Sequence, residues 1–355
     1  MMNGEFTRQE ILSQPESWAA ALAVLTRARR DILSLAPTRR YRQVIFTGCG
    51  STYYLALAAA TLTQELTGLP GRALPASELW LYPRASYVDE PTLLVAVSRS
   101  GETTETLRAC QAFRAQQRGE LVTLSCYPQA HLATMGALNL VLPSGQEQSV
   151  AQTRAFSTLY LGTVALATLW AGRDDLFAAL ERLPDAGRKV IEQALPLAAE
   201  LGRDLSIDRF YWLGSGPRYG LAAELSLKMK EMSLTHSEPF HFLEFRHGPK
   251  SMVTPSALVI GLRSTVNGQH EMAVLEDVRA LGGRVLALAE ANADLAFQSG
   301  LDEAIRNLLY LPPGQLLALE RALTRKLDPD HPNHLEAVVQ LKEVMPIDED
   351  MIALE

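Results

Sequence analysis

Short apolar runs alternate with longer segments of helical spacing along most of this chain. Residues 43–47, 92–98, 121–126 and 138–142 are apolar with little polar interruption. Runs of that length and continuity fit strands covered on both faces. Helical segments lie between and after them, at 53–66, 103–117 and 153–171. This β-α-β alternation predicts an α/β fold, with a parallel sheet between layers of helix.

Ahead of this block, Trp18, Ala21, Leu22 and Leu25 recur at helical spacing. Ser17 is a candidate cap and Pro37 ends the run, so an N-terminal helix is expected within 1–37. Residues 176–202 read as a connecting helix. The pattern then restarts, with strands expected at 209–213, 257–262, 284–289 and 308–311, and helices at 219–233 and 316–326. A Pro- and His-rich stretch follows Asp328.

The restart is an internal repeat with an offset of 166 residues. Gly48 maps to Gly214, Gly50 to Gly216, Tyr53 to Tyr219, Ala56 to Ala222 and Ser98 to Ser264. Two copies of one α/β domain are therefore expected, at 38–175 and 203–330, with a C-terminal tail at 331–355.

Composition sets the context. Apolar residues make up 47% and charged residues 21% of 355, which is globular. A net charge of −7 without a basic block is a poor footprint for nucleic acid. No apolar run reaches the ~20 residues of a membrane span. Cys49, Cys110 and Cys126 have no C-x-x-C spacing, and the first ten residues do not read as a signal peptide. A cytoplasmic protein is expected.

The two copies differ where chemistry would sit. Ser98-Arg99-Ser100-Gly101-Glu102-Thr103 follows a strand and opens a helix in the first copy. Its hydroxyls and the helix amides would cradle a phosphate at the carboxyl edge of the sheet, with Gly50-Ser51-Thr52 on the neighbouring strand. The loop lacks a Walker A pattern, and Gly48-x-Gly50 lacks the third glycine of a dinucleotide site, so neither ATP nor NAD is indicated. In the second copy that loop has lost its hydroxyl cluster, but the helix carries Glu224, Lys228 and Glu231. Lys228 and Glu231 share a helix face, where a carboxylate beside a lysine can act as a general base. His247-Gly248-Pro249 fixes a histidine in a loop. No histidine pair has metal-ligand spacing with a third ligand, so no metal or cofactor is expected.

At these residues the chain resembles the sugar isomerase (SIS) family of double-domain type. Within it, the likeness is to the isomerase half of glucosamine-6-phosphate synthase and to stand-alone phosphosugar deaminases, isomerases and deglycases. Gly48-Cys-Gly-Ser-Thr52, Ser98 to Thr103, Ser149 to Phe156, Lys228-Met-Lys-Glu231 and Glu244 to Pro249 carry the resemblance. It implies two tandem SIS domains, each a five-stranded parallel sheet in an α/β/α sandwich. It implies that Gly50, Ser51, Thr52, Ser98, Arg99, Ser100 and Thr103 surround the sugar phosphate, while Ala151 and Gln152 line the sugar site. Catalysis would fall to Glu231, which moves a proton between C1 and C2. Lys228 would lie beside the open-chain hydroxyls. His247 would assist ring opening from the neighbouring subunit of a homodimer. The synthase pattern has Gln at Arg99, Ser-Thr-Lys at Gln152 to Arg154, and a substrate-contacting lysine at Ala337. The expectation is a deaminase or isomerase of an amino- or keto-hexose 6-phosphate. A deglycase, an ammonia-dependent synthase and a non-catalytic sugar-phosphate sensor are the alternatives.

Overall fold

The computed structural model describes residues 3–37 and 40–341. The expected tail of 331–355 therefore lies outside the described residues beyond Leu341, as do Met1, Met2, Thr38 and Arg39. Three short helices precede the first sheet: α1 (Glu5–Leu12), α2 (Gln14–Arg27) and α3 (Arg29–Ser34). The single expected N-terminal helix is thus broken into pieces. Ser17 caps nothing: it sits inside α2, and its hydroxyl donates to the carbonyl of Ser144 at 2.7 Å.

The first half then runs β1 (Gln43–Gly48), α4 (Ser51–Thr67), β2 (Gly71–Pro75), α5 (Ala76–Leu81), α6 (Pro83–Ser86) and β3 (Thr92–Val97). It continues through α7 (Thr104–Ala115), β4 (Leu121–Ser125), β5 (Leu138–Val141), α8 (Arg154–Trp170) and α9 (Asp174–Ala179). α10 (Leu183–Arg203) leads into the second half: β6 (Arg209–Gly214), α11 (Pro217–Ser233), β7 (His236–Phe240), β8 (Ala257–Leu262) and α12 (Gly268–Ala280). β9 (Arg284–Ala289), β10 (Leu295–Ala296), α13 (Glu303–Arg306) and α14 (Leu311–Thr324) complete it.

Each half carries one five-stranded sheet, ordered β2-β1-β3-β4-β5 and β7-β6-β8-β9-β10. Both orders are the same relative to their own first strand, and every pairing is parallel. The two halves are therefore structural copies, as the repeat predicts. The offset is not constant. Thr47 pairs with Ala96, but Leu213 pairs with Gly261. The third strand of the second copy is one residue out of step, so Arg263, not Ser264, stands at the register of Ser98. Ser264 still does the local work of Ser98: its Oγ accepts from the amide of Asn267 at 2.8 Å, as Ser98 Oγ accepts from Gly101 at 3.1 Å.

The strand expected at 308–311 does not exist. The run is buried, but it forms a 3-10 turn that enters α14, with Pro312 in the first helical turn. A short buried apolar run satisfies either period, and the prolines after it favour a helix start. β2, β7 and β10 were not predicted. One large apolar core joins both halves. α8 runs through its middle, with every residue after Arg154 buried. No helix among the described residues is long and apolar enough to cross a membrane.

Candidate active site

β1 ends in Gly48-Cys49-Gly50, where Gly50 adopts φ 54° and ψ −122°. The equivalent Gly216 adopts φ 59° and ψ −137°. Side chains resist this region, and glycine lets the chain turn at once from strand into helix. α4 and α11 thus start from matching turns and pack against each other. Gly220 is the point of closest approach: a Cβ there would meet Tyr54 O at 2.5 Å and Ala58 N at 2.6 Å. The crossing carries the later turns of α11 over the carboxyl edge of the first sheet. Lys228 Nζ donates to Ser51 Oγ at 3.2 Å, across the two halves.

A cavity of about 180 Å³ forms there. Gly50 and Ser51 line one side, Thr103 and Arg99 another, and Val150, Ala151 and Gln152 a third. α11 contributes Lys228 and Glu231, and the segment from Leu335 to Val339 lies across the mouth.

Lys228 is 1% exposed and lies between two carboxylates. It hydrogen-bonds Glu231 directly, and Glu224 Oε1 is 3.5 Å away. Glu224 is fully buried, and neither of its oxygens has a hydrogen bond of good geometry. Burial pushes its pKa up to about 8, with Lys228 opposing and Glu231 adding to the rise. Burial works against the charge of Lys228, but Glu224 and Glu231 outweigh it and raise its pKa. Lys228 is thus a fixed cation, Glu224 a carboxyl inclined to hold its proton, and Glu231 the member open to the cavity. Sequence reasoning gave Glu224 no role; its spacing of four from Lys228 was the available signal.

The phosphate loop is partly spent on itself. Gly101 has φ 69°, and its amide donates to Ser98 Oγ. Glu102 N donates to Ser100 Oγ at 3.1 Å, and Ser98 and Thr103 hydroxyls lie 3.2 Å apart. Ser98 is buried behind Thr103, and Ser100 lines an adjoining cavity of about 370 Å³. Thr52 Oγ1 accepts from Cys49 N at 2.9 Å and donates to Cys49 O at 3.0 Å, so it closes the turn and does not face the cavity. Cys49 lines the cavity, and burial pushes its thiol up to about 11.

Arg99 lines the cavity with its guanidinium already paired. It is 6% exposed, and its guanidinium donates to Glu147 Oε2 at 3.2 Å, Ser149 O at 3.1 Å and Ala337 O at 3.1 Å. These bonds fasten the C-terminal segment to the loop that carries Ala151 and Gln152. Glu10 of α1 holds the same loop, accepting from the amides of Gln148 and Ser149. Sequence reasoning placed Ala337 by resemblance only; the structure sets its backbone over the cavity.

His247 stands apart. It is exposed, follows a 3-10 turn at Glu244–Arg246, and does not line the cavity of its own chain. Among the described residues, no cluster of His, Cys, Asp or Glu could hold a metal ion.

Known proteins resemble this chain in sequence and in fold. A glutamine–fructose-6-phosphate aminotransferase (isomerizing) of Pyrobaculum aerophilum is 31% identical over 354 residues, covering 95% of this chain and 58% of its own length. The enzyme of the same name from Symbiobacterium thermophilum is 32% identical over 340 residues, covering 87% and 53%. The chain thus spans little more than half the length of these curated relatives. The glucosamine-6-phosphate deaminase of Thermotoga maritima superposes with a TM-score of 0.80 at 27% identity, covering 95% of this chain and 100% of that one. The tagatose-6-phosphate ketose/aldose isomerase of Escherichia coli shares the fold, with a TM-score of 0.83 at 22% identity over 94% and 97% of the two chains. The family model described as the SIS domain matches residues 39–169 and 206–305, one stretch in each half. With both sheets matched, this chain belongs to the SIS domain family.

Proposed function

We propose that this chain is a phosphosugar enzyme that deaminates or isomerises an amino- or keto-hexose 6-phosphate, in the manner of a glucosamine-6-phosphate deaminase. The observation that carries this reading is the cavity that puts Glu231 and Lys228 of one half against Ser51, Thr103 and Gln152 of the other. The phosphate sits at the start of α7, near Thr103 and Ser51, where helix amides and hydroxyls favour an anion. The sugar opens with help from His247 of a second copy in a homodimer. The exposure of His247 supports that arrangement, since its own chain's cavity does not use it.

Glu231 then takes the proton from C2 and returns it to C1, through an enolamine for an amino sugar. Lys228 stabilises the oxygen that gains charge. The C2 imine adds water, its C–N bond breaks, and ammonia and the ketose phosphate leave. A plain ketose or aldose phosphate would follow the same proton path without loss of the amine. The three free cysteines are in keeping with a cytoplasmic enzyme.

The names of the relatives support the substrate class, and the Thermotoga deaminase, which this chain covers in full, supports deamination. A coupled assay for ammonia release from glucosamine 6-phosphate tests it. Stoichiometric fructose 6-phosphate and ammonia are expected. Turnover of fructose 6-phosphate or tagatose 6-phosphate without ammonia would replace deamination by isomerisation. Binding of these sugars without any turnover would favour a sensor.

A further inference from the structure

The pseudo-symmetry leaves a second cavity that the proposed reaction does not use. It holds about 510 Å³ at the carboxyl edge of the second sheet. It is assembled from the same parts as the first. The β6–α11 turn supplies Ser215 and Gly216, as the β1–α4 turn supplies Cys49 and Gly50. The loop after β8 supplies Asn267, and the segment after β10 supplies Asp302 and Glu303. α4 reaches across with Glu65, as α11 reaches across with Glu231. Glu65 and Glu231 are 166 positions apart, the offset that also relates Gly50 to Gly216.

The chemistry of this second cavity is different. Ala58 and Leu62 stand where α11 has Glu224 and Lys228. Its arginines are already committed. Arg218 donates to Glu303 at 2.6 Å and lies 3.9 Å from Glu271, while Arg173 is held by Asp175 through bonds of 2.8 and 2.7 Å. Arg306 also pairs with Glu303, at 3.1 Å. Glu65, exposed at the rim, makes no salt bridge among the described residues. Three carboxylates (Glu65, Asp302 and Glu303) thus line the cavity against two guanidiniums (Arg173 and Arg218), which leaves an excess of negative charge. An inorganic anion does not suit such a lining.

Two buried groups point to an absent partner. Asn307 is 1% exposed, lines the cavity and has no partner for Oδ1. Arg218 is 5% exposed, and its Nε–H is likewise unpaired. Buried polar groups are normally satisfied, so an orphaned acceptor and an orphaned donor on two residues of one cavity lining mark a place for a ligand hydroxyl. Glu65, which makes no salt bridge among the described residues, and Asp302, which caps α13 by accepting from Ala304 N at 2.9 Å through Oδ1 alone, mark a place for a cation.

We propose that this second cavity binds a small hydroxylated organic amine, an amino sugar or amino alcohol. Its ammonium meets Glu65 and Asp302, and one hydroxyl donates to Asn307 Oδ1 while accepting from Arg218 Nε. The cavity is then a binding site with no proton-transfer role, because the lysine and the buried carboxyl of the first cavity are absent.

Calorimetric titration of the full chain with glucosamine, which carries no phosphate, tests this. Excess fructose 6-phosphate, which fills the first cavity under the proposed reaction, is expected to leave glucosamine binding unchanged, which separates this site from the proposed reaction. Glu65→Gln, isosteric and at an exposed position, is expected to weaken binding by at least about tenfold, with turnover and melting temperature unchanged. N-acetylglucosamine, which has no ammonium, is expected not to bind. Absence of glucosamine binding to wild type, equal binding by Glu65→Gln, or competition by fructose 6-phosphate would each overturn the proposal.

Discussion

α4 and α11 are the same helix made twice and put to different uses. Both leave a glycine turn at the edge of a parallel sheet, and each reaches across the crossing at Gly220 into the other half. α4 presents Ala58, Leu62 and Glu65, whereas α11 presents Glu224, Lys228 and Glu231 at the corresponding positions. The loops diverge in the opposite sense: hydroxyls gather before α7, and the equivalent loop before α12 has lost that cluster. A duplicated domain can keep one backbone and divide the anion site from the proton-moving group. Each half then completes the other's cavity, and a single-half protein would hold neither.

The largest expected effect tests the proton-moving side of that division. Glu231→Gln removes the only cavity-facing carboxylate of the α11 cluster and keeps its shape. Turnover should fall by about a thousandfold, within the range for loss of a general base, with substrate binding retained. Single-turnover kinetics and a binding titration check it, and near-normal kcat would remove Glu231 from the reaction.

The crossing itself is tested next. In Gly220→Ala the new methyl would sit 2.5 Å from Tyr54 O and 2.6 Å from Ala58 N, and both are backbone atoms that cannot rotate away. Separating the helices should cost about 2 kcal/mol and lower Tm by several degrees. It also lengthens the Lys228–Ser51 bond, so kcat should drop with it. A variant that melts like wild type would show that the helices have slack at this point.

Glu224 sharpens the contrast with Ala58. Its folded pKa, near 8, lies above the usual carboxylate value of about 4.3 in an unfolded chain. The folded protein therefore holds this proton more tightly. The contribution is fully present below about pH 4 and is lost as pH rises from about 4.3 to 8, at up to about 1.4 kcal/mol per pH unit. Glu224→Gln should flatten that decline and be the more stable of the two above pH 8. Parallel stability curves for variant and wild type would refute a raised pKa at Glu224.

The sequence disclosed the repeat, most inner strands and the residues that meet at the cavity, because each leaves a short-range mark. Glycine pairs fix the turns, continuous apolar runs fix doubly covered strands, and spacing on α11 fixes its shared face. Of the four edge strands, only β5 left such a mark. β2 is half-exposed and bounded by Gly71 and Pro75, β7 reads His236-Ser-Glu-Pro-Phe240, and β10 has two residues. Ladder position, not side-chain pattern, makes these strands. The run at 308–311 misled for the converse reason, since burial alone does not choose between strand and helix. The bonds of Arg99 left no mark either, because its partners at 147, 149 and 337 lie far away along the chain.

That long-range role of Arg99 supplies the last and smallest test. In the first half its guanidinium bridges the sugar-lining loop and the segment over the cavity, whereas among the described residues nothing from the C-terminal segment lines the second cavity. Arg99→Ala breaks three bonds. Glu147 keeps Thr153 N at 2.8 Å and Thr153 Oγ1 at 3.0 Å, so the loop holds its shape. What is lost is the anchor on Ala337 O, leaving, among the described residues, the bonds from Thr104 N to Val339 O and from Leu341 N to Thr104 Oγ1. A charged hydrogen bond of this kind is worth about 1.5–3 kcal/mol, so the segment should detach part of the time. KM should rise by about tenfold while kcat changes little, and limited proteolysis should cut sooner near Leu335 to Leu341. A fall in kcat at constant KM would instead put Arg99 in the chemistry and undo its reading as a strap.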